Sequence, residues 1–235
     1  MNRIVFFHSP EFFPPLEFFF GLLNSDVWVV MDHVTFLSRS RQSRCRTKKI
    51  DGIRQLPVAV RRPCSKPVCK MVIDNSQPWK RLFLKAIRED YGECPYFPVY
   101  WGDVKDFVES PLVLLENINM QTTLWAAEKM GKNVRYVYSK DYCWGKSVSE
   151  TITFMLDKLG AELFNYTFTH PVYQQRTDPF QKDLTILDCF FNIGADETKR
   201  LLTEIELCQK SIVQVEQKGF ELVQRGSVDN LLKPS

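Results

Sequence analysis

The sequence predicts an α/β fold: a Rossmann-like, mostly parallel sheet flanked by helices, with an additional helical region. Three observations carry that expectation. Ile4-Val5-Phe6-Phe7 and Val27-Trp28-Val29-Val30-Met31 are short, continuously apolar runs of the kind found in strands covered on both faces. Leu16 to Leu23, between them, reads as a helix closed by Asn24-Ser25-Asp26. Strand, loop, helix and strand within about 30 residues make a βαβ unit, which builds parallel sheets.

The elements follow in order. His8 to Pro15 holds three prolines, Pro10, Pro14 and Pro15, and reads as a turn because proline breaks both ladders and helices. Thr35 to Lys49 reads as a polar, arginine-rich loop, and Ile53 to Val60 as a strand that Pro57 assigns to an edge. Pro63 to Pro67 reads as loop. Trp79 to Tyr91 has amphipathic spacing, with Asp74-Asn75-Ser76 ahead of it as capping residues. Tyr96 to Val108 and Pro111 to Met130 read as two further helices, the second with Pro111 at its first position. Val134 to Tyr138 and Leu163 to Phe168 are expected strands around a helix over Ser147 to Leu159. Leu184 to Asn192 and Ala195 to Leu207 are expected helices broken at Gly194. Without a repeat or low-complexity linker, residues 1–209 are expected to form a single domain and 210–235 a helical or frayed tail.

Composition limits the function. Hydrophobic residues make up 44% and charged residues 25% of 235, ordinary globular usage for a chain with a sizeable core. The formal net charge of +3 argues against a dedicated nucleic-acid binder. The seven cysteines include no CxxC pair, and no histidine stands at metal-ligand spacing, so free thiols and no metal site are expected. The apolar N-terminal residues are interrupted by His8, Glu11, Pro14, Pro15 and Glu17, which does not fit a signal peptide. No run approaches the roughly 20 apolar residues of a transmembrane helix. A cytoplasmic protein without membrane insertion is the expectation.

Five groups of residues bear on chemistry. His8, Asp32 and His33 fall just after the first two strands, the edge where open parallel sheets bind ligands. A histidine near a carboxylate there suits acid–base work, against the simpler reading of a backbone-bonded histidine and a turn-capping aspartate. Arg39, Arg41, Gln42, Arg44, Arg46, Lys48 and Lys49 would suit a nucleotide diphosphate, a phosphopantetheine carrier or RNA, against the reading of a solvated basic loop. Asn75, Ser76 and Trp79 mark a helix start able to hold an anion, with capping as the simpler reading. His170, with Tyr173 and Gln175, follows another expected strand. Asp188 and Asn192 lie one helical turn apart among Leu184, Leu187 and Phe191, so Asp188 needs a partner, Lys146 or an arginine of the basic loop. GxGxxG, GxxxxGK[ST], GxSxG and HExxH are all absent, so the sequence names no cofactor; Mg²⁺ carried in with a nucleotide remains compatible with the strand-end Asp and His residues.

Taken together these residues resemble a known family. His8-Ser9-Pro10-Glu11-Phe12-Phe13-Pro14 resembles the HQPxFFPW opening of the WbqC-like family. The stretch from Asp26-Val27 to Asp32-His33-Val34 resembles its DxFVxLDxVQ, and Arg41 to Cys45-Arg46 its QNRxRI. Ile73-Asp74-Asn75-Ser76 with Trp79, and Cys94-Pro95-Tyr96-Phe97, are similar to further stretches of the family. His170-Pro171-Val172-Tyr173 with Gln175 resembles HPVYxQ, and Leu184 to Asp188 with Asn192-Ile193-Gly194 resembles LSxLDLLFNxG. The sequence departs from the family at Ser9 and Pro15. It also lacks a Gly-rich YLSGxGAxxYL segment after Leu159-Gly160-Ala161.

The resemblance implies a transferase-type enzyme acting on a nucleotide-linked amino sugar in O-antigen or related surface-polysaccharide biosynthesis, by acyl or aminoacyl transfer from a donor. In that reading His8 or His170 is the general base, Asp32 or Asp188 orients it, and Arg44 and Arg46 hold phosphates. The alternatives are a non-catalytic binding or scaffold protein of the same pathway, and, third, a nucleic-acid-binding module using the basic segment 39–70.

Overall fold

The computed structural model describes residues 3–62 and 65–205; the expected tail over 210–235, and the first two residues of the expected loop over 63–67, lie outside them. The chain is an α/β protein. β1 (Arg3–His8), α1 (Leu16–Leu23) and β2 (Val27–Val30) form the expected βαβ unit, and β1 pairs β2 in parallel with Phe6 opposite Trp28 and His8 opposite Val30. A hairpin follows, β3 (Arg44–Lys49) antiparallel to β4 (Gly52–Pro57). Next come α2 (Trp79–Tyr91), α3 (Phe97–Glu109) and α4 (Leu115–Lys129), then β5 (Tyr136–Tyr138), α5 (Val148–Leu159), β6 (Ala161–Leu163) and α6 (Ile186–Glu204). The main sheet has the order β5-β2-β1-β6, parallel throughout.

The two-residue period of the strands divides the core. Phe6, Trp28 and Val30 face the larger cluster with α1, α2, α4 and α6, whereas Val5, Phe7, Val27 and Val29 face α5 through Ile152, Met155 and Leu156. The α5 helix is framed by its sequence: Ser147 and Glu150 form a capping box, and Gly160 supplies the left-handed residue at the other end, φ +54°. At Gly194, φ +81°, the chain kinks within α6 at the expected break.

Several expectations are corrected. Arg44–Lys49 is a strand, not loop, because Cys45 and Thr47 are buried on alternate positions within a charged run. Its partner ends at Pro57 rather than Val60. The helix expected from Pro111 starts at Leu115, because residues 113 and 114 are extended: Ile73 N–H donates to the Val113 carbonyl at 2.8 Å, and Val72 bridges Leu114. The last strand spans Ala161–Leu163 instead of 163–168. Beyond Phe164, whose N–H donates to the Val5 carbonyl, the chain leaves the ladder and Phe164, Tyr166 and Phe168 pack on Phe20. Pro78 precedes α2 without a side-chain cap; Asp74 instead accepts from the Ser76 N–H and hydroxyl in a local turn.

At Gly21 on α1 a Cβ would stand 2.4 Å from Cε2 of Phe6. Gly21→Ala is therefore expected to destabilise the fold by about 1–3 kcal/mol through overpacking. Equilibrium denaturation will show it as a lower midpoint at unchanged slope.

Candidate active site at the carboxyl edge of the parallel sheet

His8 ends β1 at the carboxyl edge of the sheet and opens onto a cavity of about 300 Å³. Ser9, Glu11, Glu17, Arg41 and Gln42 supply its polar lining, and Phe18 and Tyr166 line it as well. The His8 ring is held by aromatic packing, stacked on Phe6 at 5.4 Å and edge-on to Phe18 at 4.8 Å. Its Nδ1 lies 2.8 Å from the Ser9 carbonyl. A carbonyl only accepts, so Nδ1 carries the proton and Nε2 presents a lone pair. Nε2 stands 4.0 Å from Oε1 of Glu11. Burial pushes the Glu11 carboxyl above its usual range, against the pull of His8 and Arg41, and its Oε2 is enclosed without a hydrogen-bond partner.

The cavity walls are fixed by hydrogen bonds between distant segments. Gln42 donates from Nε2 to Oγ of Ser9 at 2.8 Å and accepts from the Leu37 N–H at 2.8 Å. Asn119 on α4 donates to both the Pro10 and Gln42 carbonyls, at 2.9 and 2.7 Å. The Phe12 N–H donates to the Arg41 carbonyl at 3.0 Å. The Arg41 guanidinium pairs with no carboxylate within 4.0 Å among the described residues. It also borders a shallow neighbouring cleft with Arg44, Arg46 and Asp183. Arg44 donates to Oε1 of Gln55 at 3.0 Å, while its Nε is enclosed without a partner.

Asp32 and His33 lie just past β2, yet no hydrogen bond joins either to His8. Asp32 accepts from the Ser139 hydroxyl at 3.0 Å and the Lys140 N–H at 2.9 Å, and its Oδ2 is 3.0 Å from Nζ of Lys140. The same ammonium reaches Oε1 of Glu116 on α4 at 2.7 Å. Burial, and Asp32 nearby, raise the Glu116 pKa, whereas its hydrogen bond from Lys140 lowers it. His33 has Nδ1 at 2.6 Å from the Ser139 hydroxyl and Nε2 at 3.3 Å from the Lys146 carbonyl; burial lowers its pKa and favours neutral imidazole.

The later candidates form a third group. Asp188, fully buried, accepts at Oδ2 from the Tyr173 hydroxyl at 2.6 Å and from Nε2 of Gln175 at 3.0 Å. Its pKa is raised by burial and held back by Tyr173, Tyr91 and Gln175. The expected partner, Lys146, is not there: it lies over Phe154, and the cation near Asp188 is Lys48 of β3. Lys48 donates from Nζ to Gln175 Oε1 and to the carbonyls of Thr177 and Pro179. His170 donates from Nδ1 to the Pro171 carbonyl at 2.9 Å and accepts from the Asp183 N–H at 3.3 Å, with Tyr173 and Phe180 against its ring. Asn192 donates to the Asp188 carbonyl. Asn75 binds the Leu112 carbonyl and Trp79 packs edge-on to Phe12; neither they nor Ser76 lines the cavity.

Of the expected site residues, His8, Arg41 and Gln42 therefore share the cavity, with Arg44 and Arg46 in the adjoining cleft. Glu11, Glu17, Asn119, Lys140 and Glu116 were not among them. The His8-to-Glu11 spacing inside a proline-bracketed turn was a usable signal, since that turn holds both side chains at the end of one strand. The other four depend on contacts over more than 20 positions in the chain or, for Glu17, on the start of α1.

Fold and cavity together define an α/β protein with a histidine–carboxylate pair at the carboxyl edge of a parallel sheet. A model of the WbqC-like protein family matches residues 9–167 and 155–200, and the chain belongs to that family. No curated protein and no solved structure matches it. The two matched stretches overlap at 155–167.

Lys140 is the cation between two buried carboxylates, so Lys140→Met is expected to cost about 3 kcal/mol of stability near neutral pH. In that variant Glu116, whose carboxyl burial already raises, loses the lysine hydrogen bond that held it down. The folded state then binds a proton that the unfolded chain releases, and the loss shrinks as the pH is lowered toward the ordinary carboxylate range. Melting curves across pH for both proteins check the sign; a gap that widens on acidification would contradict it.

Proposed function

We propose that this chain is a transferase of surface-polysaccharide biosynthesis, acting on a nucleotide-linked amino sugar by acyl or aminoacyl transfer. The observation that carries the reading is the His8–Glu11 pair facing a polar cavity at the sheet edge where α/β folds bind ligands. The pathway is the one that the resemblance to the family implies, and the His8–Glu11 geometry supports the following roles. Nε2 of His8 takes the proton from an amine or hydroxyl of the sugar as that group attacks the acyl carbon. The proton then passes to the departing group. Nδ1 stays on the Ser9 carbonyl throughout, which fixes the tautomer, and the Glu11 carboxylate stabilises the imidazolium formed on the way. Arg41 with Arg44 and Arg46 supplies the positive charge for the phosphates. Asp32, His170 and Asp188 are taken as framework groups, since each is held by hydrogen bonds within the protein and none lines the His8 cavity.

The test begins with thermal shift against ATP, CoA and dTDP-, UDP-, GDP- and CMP-linked sugars, including amino sugars. A nucleotide sugar at 100 times its dissociation constant should stabilise the fold by roughly 2.7 kcal/mol. With that substrate, His8→Ala is expected to keep its melting temperature within a few degrees and lose about 10²–10⁴-fold in turnover. Binding without turnover in the native protein would instead favour the scaffold reading, which the missing Gly-rich segment supports.

A further inference from the structure

The size of the cavity and the position of its arginines bear on which part of a nucleotide sugar is read. Pockets that enclose a whole drug-sized ligand run from about 300 to 1,000 Å³. This one, at about 300 Å³, has room for one hexose ring and not for ribose and base as well. Its lining is suited to a polyol or amino sugar: Glu11 and Glu17 offer acceptors, and Ser9 and Gln42 add short polar groups. The guanidinium of Arg41 stands at the boundary, lining both this cavity and the shallow cleft that holds Arg44 and Arg46.

In that cleft the acidic side chain is Asp183 alone, and Arg44 keeps Nε enclosed without a hydrogen-bond acceptor. A buried donor without a partner is costly, and an anion's oxygen is the acceptor that would satisfy it. Arg39 lies near enough to Arg44 to lower its pKa, after the effect of burial, so positive charge is concentrated there. No aromatic side chain other than Phe12 and Phe13 lines the cleft, and both of these are buried core residues with ring partners of their own. Nothing there offers a free ring face for stacking a base.

We infer that the cavity takes the sugar ring alone, that the phosphates lie on Arg41 and Arg44 in the adjoining cleft, and that the nucleoside projects outward unread. This rests on the nucleotide-sugar reading above and goes further, since it locates specificity in the sugar and not in the carrier.

Titration calorimetry with UDP-glucosamine, dTDP-glucosamine, glucosamine 1-phosphate and UDP separates the cases. The three sugar-bearing ligands are expected to bind within about fivefold of one another, and UDP at least tenfold more weakly. Arg41→Ala should weaken all three by about tenfold or more, in the range of a lost charge-assisted hydrogen bond. Its side chain has no ion pair to lose, so its melting temperature should stay near that of the native protein. Arg44→Gln, which keeps a donor for Gln55, is the second variant and should weaken the same three ligands. UDP binding as tightly as UDP-glucosamine, or carriers differing by more than tenfold, would overturn the inference while leaving a nucleotide-sugar protein. Should the panel above select a different sugar, the same series is built on that sugar; silence of the panel and of all four ligands would overturn both.

Discussion

The structure depends on the burial of an irregular turn. Residues 9–15 are buried without exception, yet three prolines keep them out of any helix, and apart from a single bridge at Pro15 they join no strand. Backbone groups removed from water need partners, and here they come from afar. The Pro10 carbonyl takes Asn119 on α4, and the Phe12 N–H reaches the Arg41 carbonyl. The Phe13 N–H donates to the Thr122 hydroxyl, and its carbonyl accepts from that of Thr185. The Pro14 carbonyl accepts the Ile186 N–H at the start of α6. Three separate parts of the chain thus converge on seven residues, and His8 and Glu11 take their positions from that convergence.

Where local chemistry and fold agree, the sequence was legible. β1, α1 and β2 are uniformly apolar or amphipathic, and α5 carries its own cap and stop, so the βαβ unit and its parallel pairing followed from pattern alone. The hairpin strand β3 was not legible as strand, because RCRTKK reads as solvated charge. Its alternation of buried Cys45 and Thr47 with arginines has meaning only once α2 and α6 cover one face, and Lys48 is buried there because the carbonyls of the 175–179 loop surround its ammonium.

The site was legible in part for the same reason. Strand-end placement drew attention to His8, Asp32 and His170 alike. Folding gives each a different environment: a cavity for His8, a lysine shared with Glu116 for Asp32, and a backbone carbonyl and amide for His170. What separates His8 from His170 is whether both ring nitrogens are already occupied, a property of contacts up to 13 residues away at His170. The two buried carboxylates also differ in kind. Asp32 is matched to a formal charge, whereas Asp188 is matched chiefly to neutral hydroxyl and amide donors.

The convergence on the His8 turn has a consequence for how such a chain can vary over time. A segment anchored to three others cannot gain or lose a position without unseating all of them at once. Tolerance for insertions and deletions must therefore lie elsewhere. The tip of the β3–β4 hairpin, where Ile50 and Asp51 are exposed, is such a place. Length can change at that tip while the turn that carries His8 and Glu11 is held to a fixed count of residues.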